Sequence, residues 1–123
     1  VLDAAVHDAT PGTFGQLVVD GDMSTNDSVF ALANGLADNP RVAAGSAAYA
    51  AFTAALTELF DELARAIASD GEGATKRLEV RVGHAPSVAV ARDLARSICG
   101  SSLVKAAIGQ ALFFHPARAK EPA

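Results

Sequence analysis

Asp20-Gly21-Asp22-Met23-Ser24-Thr25-Asn26-Asp27 follows the apolar run Leu17-Val18-Val19 and precedes an apolar segment that opens at Val29. Three carboxylates, two hydroxyls and one carboxamide fall within eight positions. Such a stretch reads as the connection from a strand to a helix, where the backbone turns sharply and the first helical amides lack partners. A second connection of the same kind, Asp70-Gly71-Glu72-Gly73-Ala74-Thr75-Lys76, lies between a long helical pattern and an alternating one. Two acidic connections between elements of different period predict an α+β architecture.

Working outward, residues 14–19 read as a strand, because Leu17-Val18-Val19 is too continuously apolar for a half-exposed edge. Residues 28–36 read as a helix capped by Asn26 or Asp27. The longest periodic stretch, 46–69, places Phe52, Leu56, Leu59, Phe60, Leu63 and Ile67 on an apolar side, with Glu58, Asp61, Glu62 and Arg65 on a solvated one. Residues 76–82 alternate, with Leu78, Val80 and Val82 set against Arg77, Glu79 and Arg81, which predicts a strand with one buried face. Ser87 caps a helix to about residue 98, and 103–108 forms a short one. A helical remnant over 1–9 ends at Thr10-Pro11-Gly12.

Two strands make a marginal sheet by themselves. The expectation is therefore a fragment of a layered α/β sandwich, two or three strands covered by helices, with the sheet completed by other chain segments. Residues 1–108 form this domain fragment, and 109–123 read as a divergent, loose tail.

Composition narrows the function. Of 123 residues, 50% are hydrophobic and 20% charged, a soluble globular balance. Six Phe, one Tyr and no Trp mean a core built from small side chains. The net charge of −4, with scattered cations, argues against a nucleic-acid partner. No apolar run approaches the roughly 20 residues needed to span a bilayer. Val1-Leu2-Asp3 does not read as a signal peptide but as a chain entered partway along a helix. A single cysteine, Cys99, excludes an internal disulfide, points to a cytoplasmic setting and reads as a core residue.

The acidic connections admit several chemistries. Asp20, Asp22, Ser24 and Asn26 alternate as in a calcium loop, but the sixth and twelfth positions hold Thr25 and Ala31 instead of Gly and Glu. His7, His84 and His115 lie in three unrelated settings, so no metal site is expected. Leu17-Val18-Val19-Asp20-Gly21-Asp22 resembles the first motif of haloacid-dehalogenase-like phosphotransferases, with Asp20 as nucleophile and Asp22 as general acid. Lys76 or Lys105 would serve as the lysine those enzymes need, yet no later acidic pair for magnesium follows. A plainer account has Asp22, Ser24, Asn26 and Asp27 satisfying amides of a tight connection, with Gly21 at positive φ. Glu72, flanked by Gly71 and Gly73, is free to meet an ammonium or amide group of a small molecule.

Taken together, Asp20-Gly-Asp-Met-Ser-Thr-Asn-Asp27, Asp70-Gly-Glu-Gly-Ala-Thr-Lys76 and Ser102-Leu-Val-Lys-Ala-Ala-Ile108 resemble, in order and spacing, the β-chain of the ornithine acetyltransferase (glutamate N-acetyltransferase) family of arginine biosynthesis. The resemblance covers residues 2–108. It implies an enzyme that moves an acetyl group from N-acetylornithine, or in bifunctional members from acetyl-CoA, to glutamate. It also implies self-cleavage into two chains and an acyl-carrying threonine at the new N-terminus, with no metal or other cofactor. By the same resemblance Glu72 binds substrate, while Asp20, Asp22, Ser24, Thr25, Asn26, Asp27, Thr75 and Lys76 shape the pocket wall. The partners implied are the α-chain and the remaining β-chain segments.

Two departures accompany the resemblance. The family's nucleophilic threonine belongs to an Ala-Thr-Met-type motif, and neither Ala9-Thr10-Pro11 nor Ala74-Thr75-Lys76 stands in for it. Past Ile108 the family continues Phe-Gly-x-x-Pro-Asn-Trp-Gly-Arg, where this chain reads Gly109-Gln-Ala-Leu-Phe-Phe-His-Pro-Ala-Arg. No catalytic residue is therefore expected within the 123 positions, and a non-catalytic remnant domain is the remaining alternative.

Overall fold

A computed structural model describes residues 1–19, 21, 24–71 and 75–108, together with the backbone of 111–112. In chain order the elements are helix α1 (Leu2–Ala9), two 3-10 turns (Thr10–Gly12 and Phe14–Gln16), helix α2 (Ala47–Ser69), strand β1 (Lys76–Arg77), helices α3 (Val88–Gly100) and α4 (Ser102–Ile108), and strand β2 (Ala111–Leu112). β1 and β2 pair in parallel, Lys76 opposite Ala111 and Arg77 opposite Leu112. Helix therefore dominates the described residues, and the ladder is two residues long.

Helix starts follow local chemistry. The Ser46 hydroxyl accepts from the Tyr49 amide at 3.1 Å, and the Ser87 hydroxyl from the Val90 amide at 3.2 Å. Each satisfies one of the amides a helix leaves unpartnered in its first turn. Between them, His84 adopts a positive φ of 60° in the turn that leads to α3.

α1 packs on α2. Ala5 and Ala9 of α1, and Phe60, Ala64 and Ala68 of α2, are the buried apolar positions, each set at fourfold spacing on one helix face. Phe14 lies across Phe60, ring centroids 5.1 Å apart and tilted by 49°. Tyr49 closes the far end by donating to the Asp8 carboxylate at 2.5 Å. The buried stripe of α2 is thus displaced by one position from the stripe of large residues. Leu59, Leu63 and Ile67 are about half exposed (49%, 45% and 52%), and only Phe60 among the large residues is buried.

The segment after β1 is the middle layer. Leu78, Val80 and Val82 pack with Val18 on Ala95 and Cys99 of α3. From the opposite side of the segment, Glu79 accepts from Arg65 of α2 at 3.1 Å, and Arg65 also holds Asp61 at 2.9 Å. Arg81 joins the same Glu79 carboxylate at 2.7 Å. Alternate side chains of one extended segment thus address two different helices, as period-2 geometry requires. Arg65 and Asp61, read from the sequence as part of a solvated face, are half-buried members of this network.

Two expected elements take other forms. Residues 14–19 are a 3-10 turn followed by extended backbone outside any ladder, not a strand. The Thr13 hydroxyl donates to the Ala9 carbonyl at 2.8 Å and the Gln16 amide donates to the Pro11 carbonyl, and these short-range bonds hold the chain in turns. Gly15 permits this, since a Cβ there would meet the Thr10 carbonyl oxygen at 3.2 Å. Residues 28–36 are not helical either. Phe30 and Leu32 are 84% and 97% exposed, and the Asn34 side chain accepts from the Leu36 amide in a local turn. A nine-residue helix is marginal without a surface for its apolar face, and the described residues supply none.

Cys99 is buried, as its helical setting suggested. Burial raises its thiol pKa to about 11, against a smaller lowering by the Lys105 charge. The folded chain should therefore resist iodoacetamide at pH 8, where about one thiol in a thousand is ionised, and react after addition of denaturant. Rapid labelling of the native chain would contradict this packing.

Glu79 gives a second test. Burial opposes its ionisation, but the hydrogen bonds and charges of Arg65 and Arg81 outweigh that and hold its carboxyl below the ordinary carboxylate value. A depressed folded pKa adds stability that is present above the unfolded value and is lost as pH falls through the folded one. Urea midpoints of the native chain should therefore fall more steeply below about pH 4.5 than those of Glu79→Gln.

Candidate functional site

The two acidic connections and the helix that follows them make up the candidate site. α4 is seven residues long, and the Ser101 hydroxyl accepts from the Val104 amide in its first turn at 3.4 Å. From α4 the half-buried Lys105 reaches back 86 positions and donates to the Val19 carbonyl at 2.7 Å. Val19 immediately precedes Asp20. At the other end of α4, Lys76 donates to the Ile108 carbonyl at 3.1 Å, across 32 positions. Lys76 is the last residue of the second acidic connection, so the two connections are tied to one short helix.

The lysines suit these acceptors. The last carbonyls of a helix lack intrahelical partners and carry the negative end of its dipole, so an ammonium beside Ile108 is favourable. Placed over Val19, the Lys105 charge also lies near the Cys99 sulfur, whose rise in pKa it moderates. Arg96 of α3 adds a further tie by donating to the Gly15 carbonyl.

The predicted site residues divide by position. Asp20, Asp22 and Glu72 lie outside the described residues. Gly21 has φ of 95°, the left-handed conformation that the plainer reading of this connection requires. Ser24, Thr25, Asn26 and Asp27 are exposed, and most of their hydrogen bonds are local. The Asn26 amide donates to the Ser24 hydroxyl at 3.1 Å, the Thr25 hydroxyl to the Asn26 side-chain oxygen at 3.3 Å, and the Ser28 hydroxyl to the Asn26 carbonyl at 3.2 Å. Asn26 thus organises a turn and does not cap a helix. Thr75 is exposed beside Lys76. His7 and His84 are exposed and far apart in sequence, while His115 lies outside the described residues.

Lys105 is the residue that sequence reasoning used least well. It was assigned only as a substitute phosphotransferase lysine, whereas its ammonium is bonded to backbone. Its place in the third motif, Ser102-Leu-Val-Lys-Ala-Ala-Ile108, was the available signal.

Comparison with known proteins identifies the family. The model of the ArgJ family matches residues 1–111. The arginine biosynthesis bifunctional protein ArgJ of Symbiobacterium thermophilum is 55% identical over 107 residues, 87% of this chain and 27% of that protein. The protein of the same name from Lactococcus lactis subsp. lactis is 47% identical over 108 residues, 88% of this chain and 27% of that protein. A crystal structure of arginine biosynthesis bifunctional protein argJ from Bacillus halodurans superposes with a TM-score of 0.76 at 42% identity, over 85% of this chain and 49% of that one. The chain spans about a quarter of the length of the curated relatives it matches. On the match of the family model over 1–111 and the identity to these relatives, the chain belongs to the ArgJ family.

Proposed function

We propose that this chain supplies part of an acetyltransferase of arginine biosynthesis, which moves an acetyl group from N-acetylornithine or acetyl-CoA to glutamate. The observation that carries the proposal is the convergence of the three family motifs on α4, through Lys105 at Val19 and Lys76 at Ile108. Motifs separated by up to 86 positions that meet at one helix belong to one site.

In this reading the Glu72 carboxylate meets the ammonium group of the amino-acid substrate, a charge-assisted contact of the kind that orients a small molecule. Asp20, Asp22, Ser24, Thr25, Asn26, Asp27, Thr75 and Lys76 shape the wall around it. The reaction runs through an acyl-threonine: the threonine hydroxyl attacks the acetyl carbonyl, its proton passes to the local amine, and ornithine or coenzyme A leaves. The glutamate amine then attacks the ester and regenerates the hydroxyl. That threonine belongs to a β-chain segment outside these 123 residues, because no residue here matches its Ala-Thr-Met-type motif.

Coverage of the relatives supports a divided enzyme. Aligned stretches of similar length make up about half of the solved argJ chain but about a quarter of the curated proteins. The solved chain is therefore about half as long as those proteins. The half-exposed stripe Leu59, Leu63 and Ile67, and the similar stripe Val90, Leu94 and Ile98 on α3, fit burial against the remaining segments of such an enzyme.

The test is acetyl transfer from N-acetylornithine to glutamate. The 123-residue chain alone should show background activity, and measured turnover would place the nucleophile within it. With residues 1–108 joined to the preceding and following portions of an ArgJ relative, the enzyme should turn over, and Glu72→Gln should lower kcat/KM by about 30-fold or more, as expected for an unpaired buried charge. Magnesium-dependent hydrolysis of a phosphate ester that Asp20→Asn abolishes would instead support the phosphotransferase reading.

A further inference from the structure

We propose that Lys105 and Lys76 are positioning residues that make α4 a clamp, fixing the first acidic connection at Val19 and the second at Lys76 in a set relation to each other. The proposal rests on the reading that these connections line the substrate pocket, and it deepens that reading by assigning the device that brings them together.

Three observations carry it. The Lys105 ammonium donates to the Val19 carbonyl, the residue before Asp20, at 2.7 Å. The Lys76 ammonium donates to the Ile108 carbonyl at 3.1 Å, and the adjoining backbone doubles that tie, since Lys76 also stands opposite Ala111 in the β1–β2 ladder. Lys105 and Ile108 are three positions apart on a seven-residue helix, so the two attachment points lie within one turn.

A lysine loses much rotamer freedom when its ammonium is held in one place. Here two lysines are so held, both on main-chain carbonyls and both joining an acidic connection to the same helix. Neither carbonyl belongs to a side chain that substitution could remove, so the geometry depends on the lysines. A substrate held between a carboxylate on one connection and groups on the other needs their separation fixed to a fraction of an ångström. α4 provides that constraint without itself presenting a reacting group.

Lys105→Met tests the clamp, since methionine keeps an apolar stem and removes the donor. On the isotope-labelled full chain without substrate, NMR order parameters of Leu17, Val18, Val19 and Gly21 should fall from the ~0.85 of rigid backbone towards ~0.6. Those of Ala47–Ser69 should stay unchanged, and the Val19 carbonyl resonance should move upfield. Lys105→Arg, which retains a donor, should restore most of the order. Lys76→Met should produce the same loss at Gly71 and Thr75, and it serves as the reading if Lys105→Met does not fold. Unchanged order parameters at both connections, an equal loss throughout α2, or failure of arginine to rescue would overturn the clamp. These readouts need no acetyl transfer, so the clamp and the proposed reaction fail on different measurements.

Discussion

An extended segment held between two helices by opposite means is the constraint on which the described structure depends. Residues 78–82 present Leu78, Val80 and Val82 to the Ala95 and Cys99 face of α3, while Glu79 is held from the other side by Arg65 of α2. A shift of one residue would reverse this arrangement, turning Glu79 into the apolar face and leaving a valine against Arg65. The ion pair is half-exposed, so its direct stabilisation is small. Its larger effect is on register, because only one carboxylate in the segment can meet Arg65 while three apolar side chains meet α3. Register at 78–82 in turn fixes where Lys76 stands, and Lys76 reaches Ile108.

Backbone chemistry places the same segment at the centre of the fold. Its peptide groups are polar and partly shielded, and the ladder within the described residues covers only Lys76 and Arg77. Extended backbone between helical layers ordinarily finds its hydrogen-bond partners in neighbouring strands. Val18 lies on the same α3 face as Leu78, Val80 and Val82, so two extended stretches already share one layer. Helix dominates the described residues, yet the side chains of these two stretches are placed as a sheet would place them.

How much of this was legible depends on whether the deciding partner was near in sequence. The caps at Ser46 and Ser87 were readable because the hydroxyl and the amide it accepts from are three residues apart. The direction of Leu78, Val80 and Val82 was readable because alternation alone determines it. The strand at 14–19 was misread because bonds from Thr13 and Gln16 outweigh the apolar run, and the helix at 28–36 because periodicity supplies a face but not the surface to cover it. On α2 the mistake was one of size. Large residues marked the expected interface, whereas the buried positions are Phe60, Ala64 and Ala68 beside them. The site was legible as three motifs and illegible as a geometry, since lysine bonds to carbonyls 86 and 32 positions away leave no periodic trace.

The division between small residues inside and large residues outside has an energetic consequence for the site. Six of the eight buried hydrophobic residues among those described are alanines, and an alanine contributes little apolar area. Leucine, isoleucine and valine contribute ~1.5–3 kcal/mol each when fully buried, yet Leu59, Leu63 and Ile67 on α2 and Val90, Leu94 and Ile98 on α3 remain about half exposed. Most of the apolar area of both helices therefore lies on faces turned away from the contacts that position the acidic connections. Whatever covers those faces would stabilise α2 and α3 without touching Val19, Lys76 or Lys105, and through Arg65, Glu79, Ala95 and Cys99 it would stiffen the layer to which the connections are tied. Stability and site geometry are thus borne by different faces of the same helices, while α4 carries the ties to Val19 and Lys76.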